Sequence, residues 1–152
     1  MYVLAEIKVV KVEIRLPTYP SLPPALTLQL EDGRVFPMFS IPVNTIIAIG
    51  NIIYGKRIVD DERKNFGEIL AEIPIVREQL GKIVKKVVID RIDNSDRFYA
   101  TVTLALNGNE KLVTMVPSSA ILLALLANAE IYVDEMLLRL IGPEDEGKEF
   151  YA

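Results

Sequence analysis

The sequence predicts one α+β domain with a mixed, mainly antiparallel sheet and about three main helices. Three observations lead there. Phe98, Ala100, Val102, Leu104 and Leu106 alternate with Tyr99, Thr101 and Thr103, and Asn107-Gly108-Asn109 then turns the chain back through Glu110–Val116, the pattern of a hairpin. Pro117 stops that strand and is placed to open a helix, and the run Ala120–Ala127 behind it is apolar on nearly every side, so protein must enclose it. Several strands joined by hairpin connections and grouped with three main helical stretches give the α+β class.

Taken in order, the first strand is irregular. Val3, Ala5, Ile7 and Val9 are apolar at odd positions, whereas Val10, Val12, Ile14 and Leu16 are apolar at even ones. One extra residue near Val9 produces that change of phase, which predicts a β-bulge or a strand bending between two parts of a sheet. Pro17–Pro24 reads as a stiff, irregular connection. Ala25–Leu30 and Arg34–Phe39 are short strands joined through Asp32-Gly33. Ser40 or Asn44 is placed to cap a helix carrying Ile46, Ile47, Ile49, Ile52 and Ile53 and ending near Gly55. The charged stretch 56–64 reads as the mobile loop of the chain.

Asn65, with Glu68 three positions on, forms a capping-box pattern for a helix over Phe66–Leu80, kinked at Pro74 and stopped by Gly81. Lys82–Ile92 reads as a strand, Asp93–Asp96 as a turn, and Ile131–Val133 as a short strand. Asp134 is placed to cap a last short helix through Leu140. The domain is thus expected over residues 1–140, with 141–152 as an acidic tail.

Composition narrows the chemistry. The 152 residues carry 17 Lys and Arg against 21 Asp and Glu, a net charge of -4, with no Cys and no His. Without His or Cys there is no Ser-His-Asp triad, no thiolate nucleophile and no Cys- or His-based zinc site. What survives is hard-cation chemistry on carboxylates, Lys or Tyr acid-base work, or no chemistry at all. The acidic balance argues against a general footprint for nucleic acid. Charged residues interrupt every apolar run before it reaches the length of a membrane span, and the first residues lack the pattern of a signal peptide, so a cytoplasmic protein is expected.

The run FYATVTL, the spacing V-x-x-x-P-S-x-A-I-x-L-A-L over Val113–Leu125, and A-x-I-Y-V-D-E over Ala129–Glu135 resemble the bifunctional nuclease family. Pro37–Pro42, PMFSIP, is similar to that family's entry into its first helix, and Lys86–Ile92 to one of its strands. The resemblance implies an α+β fold, homodimers or higher oligomers, and nuclease activity on DNA and RNA, with a divalent cation such as Mg or Mn if the chain is active. Where the family reads V-D-A-R-P-S-D-A, this chain has Val113-Thr114-Met115-Val116-Pro117-Ser118-Ser119-Ala120. Where it reads R-P-x-T-H-D-L-L, this chain has Arg63-Lys64-Asn65-Phe66-Gly67-Glu68-Ile69-Leu70.

The apolar framework of the motif is therefore kept and most of its polar residues are replaced. Cleaving a phosphodiester needs an activated water and cationic charge on the phosphoryl oxygens, and removing one such preorganised group costs about 10²-fold or more in rate. The residues left as candidates are Arg63, Glu68, Ser118 and Ser119. Three of them have a simpler structural reading: Glu68 as the capping-box acid, and Ser118 and Ser119 as helix caps. Asp90, Asp93 and Asp96 read as a solvated turn, Tyr99 and Tyr132 as packing residues, and Lys8, Lys11, Arg15, Lys82, Lys85 and Lys86 as either a basic face for a nucleic acid backbone or edge protection. The expected function is that of a divergent family member with weak or lost nuclease activity; a non-catalytic homo-oligomeric interaction module and nucleic-acid binding without cleavage are the alternatives.

Overall fold

The bulge foreseen in the first strand shapes the whole sheet. In the computed structural model, which describes residues 5–17 and 22–140, strand β1 (Glu6–Arg15) pairs antiparallel with two different neighbours. Glu6–Lys8 pair with β7 (Glu130–Asp134), and Val9–Arg15 pair with β2 (Ala25–Leu30), with a register shift between Val9 and Lys11. The extra residue, Val10, is left 60% exposed. Its neighbours thus keep their apolar side chains on the core side of both halves.

With β3 (Val35–Phe39), β4 (Val84–Ile92), β5 (Phe98–Leu106) and β6 (Asn109–Met115), the described strands form one seven-stranded sheet in the order β3-β2-β1-β7-β4-β5-β6. Each neighbouring pair is antiparallel except β4 with β7. Phe36 on β3 and Phe98 on β5 stand far apart in that order, yet their ring centroids are 4.9 Å apart. The sheet therefore folds over at the β1 bend and closes part of its core against itself. Leu26, Leu28, Met38, Val87, Ile89, Ala100 and Val102 line that core.

Five helices complete the described chain: α1 (Val43–Tyr54), α2 (Phe66–Glu72), α3 (Pro74–Ile83), α4 (Pro117–Ala127) and α5 (Glu135–Leu140). The predicted α+β class and mainly antiparallel sheet hold, with four substantial helices rather than about three. The extra one comes from Pro74. A single kinked helix was expected over Phe66–Leu80; instead Ile73 adopts φ -102° and ψ 102°, and two helices meet there. A residue before proline is crowded out of the helical region, and Pro74 then serves as the first residue of α3.

Gly81 does not stop that helix. It lies inside α3, where an added Cβ would sit 3.3 Å from the Ala127 carbonyl, so its smallness serves the close approach of α3 to the end of α4. The strand expected from Lys82 accordingly begins at Val84. The start of α1 differs too. Neither Ser40 nor Asn44 caps it; Pro42 is the N-cap, with no side-chain hydrogen bond. Proline fixes φ near the helical value, and the Ile46 N–H reaches the Pro42 carbonyl at 3.1 Å.

Gly55 ends α1 at φ 68°, and the Met136 N–H donates to Asp134 Oδ1 at 2.8 Å at the mouth of α5, both as expected. Residues 18–21 of the predicted proline-rich connection, and the acidic tail, lie outside the described residues. Helix α4 packs against α1, α2, α3 and strands β4, β5 and β7. Ala120, Ile121 and Ala124 are fully buried, in line with the enclosure its sequence requires.

Candidate functional site

Glu68 is the only charged residue buried among those described, 3% exposed at the third position of α2. The capping box predicted for it is present: Asn65 Oδ1 accepts from the Glu68 N–H at 3.1 Å, and Glu68 Oε2 accepts from the Asn65 N–H at 2.8 Å. The carboxylate does more than cap. Oε1 accepts from Asn51 Nδ2 at 2.7 Å and from Arg57 Nε at 3.0 Å, and a longer contact of 3.5 Å joins Arg57 Nη2 to Oε2. Burial pushes the Glu68 carboxyl up, but the Arg57 guanidinium, the Asn65 N–H and the Asn51 amide outweigh it and hold it below the usual carboxylate range. It is thus ionised at neutral pH.

Arg57 ties the same carboxylate to the charged loop. Its guanidinium also donates to the carbonyls of Asp61 and Arg63, and Asn51 Oδ1 accepts from the Ile58 N–H at 2.9 Å. Ile58 in turn fills the space over Gly50, where an added Cβ would come within 2.4 Å of its side chain. The stretch 56–64, expected to be mobile, is therefore pinned to α1 and α2 by one buried carboxylate and two polar side chains. Arg57 and Asn51 were not singled out in the sequence. Arg57 is one cation in a charged run, and nothing local marks it as the partner of an acid eleven residues away.

Arg63 and Glu68 line one open cleft of about 260 Å³ with Asn44, Asp61, Lys64 and Asn65. Arg63 itself points to solvent, its side chain 88% exposed, and is paired with Asp61 at 3.0 Å. That pairing, with the Arg63 main-chain N–H, lowers the Asp61 carboxyl to about 2. Ser119 faces a neighbouring apolar groove of about 390 Å³, formed chiefly by Phe66, Leu70, Met115, Leu122, Leu123 and Leu126, which shares Asn44 and Asn65 with the cleft. Ser118 lines neither space. It is fully buried, and its hydroxyl has no hydrogen-bond partner. The four candidates therefore split three ways, with two in one cleft, one in the next groove and one in the core.

Capping of α4 by serine is also absent. Val116 is the N-cap, without a side-chain bond, and Pro117 occupies the first turn, which places both serines past the capping position. Gly67, at the position where the resembled motif carries histidine, shows why no side chain stands there. A Cβ would lie 2.8 Å from Ala48 Cβ and 3.2 Å from Leu122 Cδ2, where α2 meets α1 and α4. Gly67→Ala should therefore destabilise the fold, because overpacking of about 1–3 kcal/mol exceeds a helix-propensity gain of about 1 kcal/mol. An unchanged or raised melting temperature would show that the helices can move apart.

The residues present do not suit a Mg or Mn ion. The Glu68 oxygens are already engaged by four donor contacts, Asp61 is held by Arg63, and among the described residues no group of three or more acidic side chains is arranged for a cation. Asp93 organises its turn, accepting from the Ser95 and Arg97 N–H groups and from the Tyr99 hydroxyl, while Asp90 accepts from Thr101. The basic residues are mostly neutralised. Lys8 pairs with Glu130, Lys11 with Glu13, Lys82 with Glu78 and Lys86 with Glu6, while Arg15 donates to the Pro23 carbonyl. Tyr99 and Tyr132 are covered by Arg91 and Lys86, whose charges lie 4.3 and 4.8 Å from the ring centroids. No described helix is long and apolar enough to cross a membrane.

Against known families, the model of the bifunctional nuclease domain matches residues 51–145, most of the chain and all of α2 to α5. Comparison with curated proteins yields no significant match.

Proposed function

The chain belongs to the bifunctional nuclease domain family, and from that premise we propose that it is a divergent member whose cleavage of DNA or RNA is weak or lost. The observation that carries this reading is the state of Glu68. A general base needs a free lone pair and a pKa near the working pH. Glu68 is buried, its oxygens are occupied, and its pKa is lowered rather than raised. Thr114, Val116, Ser119 and Gly67 stand where the family motifs are polar, and the remaining exposed arginine of the cleft is neutralised by Asp61. A cytoplasmic setting goes with this reading, supported by the cysteine-free composition.

Purified protein incubated with single- and double-stranded DNA and RNA, with Mg or Mn, should give no cleavage above the ion-only blank. Arg63→Ala serves as the control, because that side chain is exposed and its loss leaves the fold intact. Robust cleavage by the parent that disappears in Arg63→Ala would overturn the reading.

A second reading, a homo-oligomeric interaction module, is favoured by the apolar groove. Phe66 at its rim is 78% exposed, and Ile69 on α2, Ile75 on α3 and Ile73 at their junction are also open to solvent. Apolar surface of that kind commonly marks an interface. The solution mass should rise with concentration, and Phe66→Glu should shift it to the monomer. A monomer at every concentration would exclude assembly. Nucleic-acid binding without cleavage finds no support in the net charge of -4 or in the paired lysines.

A further inference from the structure

We propose that Asn107, at the tip of the β5–β6 hairpin, is a site of spontaneous deamidation that converts the turn to aspartate and isoaspartate. The chemistry needs three things in one place: an asparagine amide held by nothing, a following main-chain nitrogen free to attack it, and no side chain on that following residue to block the approach. Asn107 and Gly108 are both exposed, and among the described residues nothing holds the Asn107 amide. Gly108 carries no side chain to block the approach, an added Cβ there would meet nothing within 4 Å, and among the described residues its main-chain N–H has no hydrogen-bond acceptor outside the strand ladders.

The other described asparagines each miss a condition. The amides of Asn51 and Asn65 are engaged with Glu68 and with the Asn44 carbonyl. The nitrogen after Asn94, that of Ser95, donates to Asp93 Oδ1 at 2.8 Å, and the nitrogen after Asn128, that of Ala129, donates to the Ala124 carbonyl at 2.8 Å. Asn44 lies in the first turn of α1 before a β-branched threonine, and Asn109 is followed by Glu110 in an extended strand.

The Gly108 nitrogen attacks Cγ of Asn107, a C–N bond forms, the Cγ–Nδ2 bond breaks, and the side-chain nitrogen leaves as ammonia with the proton given up by the main chain. The product is a five-membered succinimide. Water then adds to one of its two carbonyls, giving aspartate if the new C–N bond opens, or isoaspartate if the original peptide bond does. In the folded turn Asn107 has φ 51° and Gly108 φ 79°, the pair of positive values that a two-residue hairpin requires. The attack requires Asn107 to leave that position, which the location favours. Strand β6 is the sheet edge, and Leu106 and Asn109 beside the turn are exposed, so the tip opens without disturbing the core. Isoaspartate adds a carbon to the main chain of the turn, and the pairing of Leu106 with Asn109 cannot then be kept.

The test is incubation of the folded chain in mildly alkaline buffer, with peptide mass spectrometry that separates aspartate from isoaspartate. A urea-unfolded sample of the same chain runs alongside. The expected result is a gain of acid at position 107 in a majority of chains, isoaspartate as the larger product, faster conversion at higher pH, and little change at Asn44, Asn94 or Asn128. Gly108→Asp, which keeps a residue that tolerates positive φ but crowds the nitrogen, should largely abolish conversion. An intact Asn107 in the folded chain over a period that converts it fully in the unfolded one would overturn the proposal, as would faster conversion at another asparagine.

Discussion

Glu68→Ala is expected to lower the free energy of unfolding by about 3 kcal/mol, measured by urea denaturation. Breaking one side of a buried ion pair costs about 3–5 kcal/mol, because the remaining charge is left in a poor environment. The lower end applies here, since the Arg57 side chain is 29% exposed and regains water when its partner is lost. The substitution also removes the reciprocal half of the capping box and strands the Asn51 amide. Glu68→Gln should cost less, since it still accepts from the Asn65 N–H. A loss below about 0.5 kcal/mol for Glu68→Ala would mean that water replaces the carboxylate and that the network is not a structural centre.

The same residue sets a pH dependence. The folded-state pKa of Glu68 lies below its ordinary value of 4.5, so its contribution is complete above that value and is lost as the pH falls through the folded pKa. Parent stability should therefore fall on acidification, and Glu68→Ala should show a shallower fall over that window. Asp61 and Asp93 are each lowered to about 2, so their contributions are complete above the ordinary value of 3.8 and are lost as the pH falls toward about 2.

Ile121→Ala is expected to cost about 2–5 kcal/mol, because Ile121 is fully buried in α4 and the cavity left there is ringed by sheet and helices that cannot all relax. Leu123 and Leu125, for which the same loss follows from the apolar run alone, are only half-buried, and Leu123 faces the apolar groove. Leu123→Ala should therefore be milder than Ile121→Ala. Equal losses at both positions would show that the groove is covered in solution, which would itself favour assembly.

Local chemistry accounts for what could be read in advance. The change of apolar phase at Val9, the Asp-Gly and Asn-Gly turns, the Asn65–Glu68 box and the apolar run after Pro117 each depend on neighbours within a few residues, and each stands where expected. The misreadings arise where a residue suits two local roles. Gly81 resembles a helix stop, but packing of α3 against α4 explains it; Ser118 and Ser119 resemble caps, but Val116 already holds that position.

The candidate site was legible in part for the same reason. Glu68 and Arg63 could be named from sequence, but their different fates could not, since one is buried and bonded and the other points to solvent. By itself, then, the sequence determined the class of fold, the succession of strands and turns, and the place where the sheet bends, because periodicity and turn chemistry are local. Only the tertiary structure decided that Arg57 and Asn51 saturate Glu68, that Gly67 leaves no room for a side chain, and that Ser118 is sealed in the core. Those outcomes depend on which distant segments pack together and on what remains exposed to water when they do.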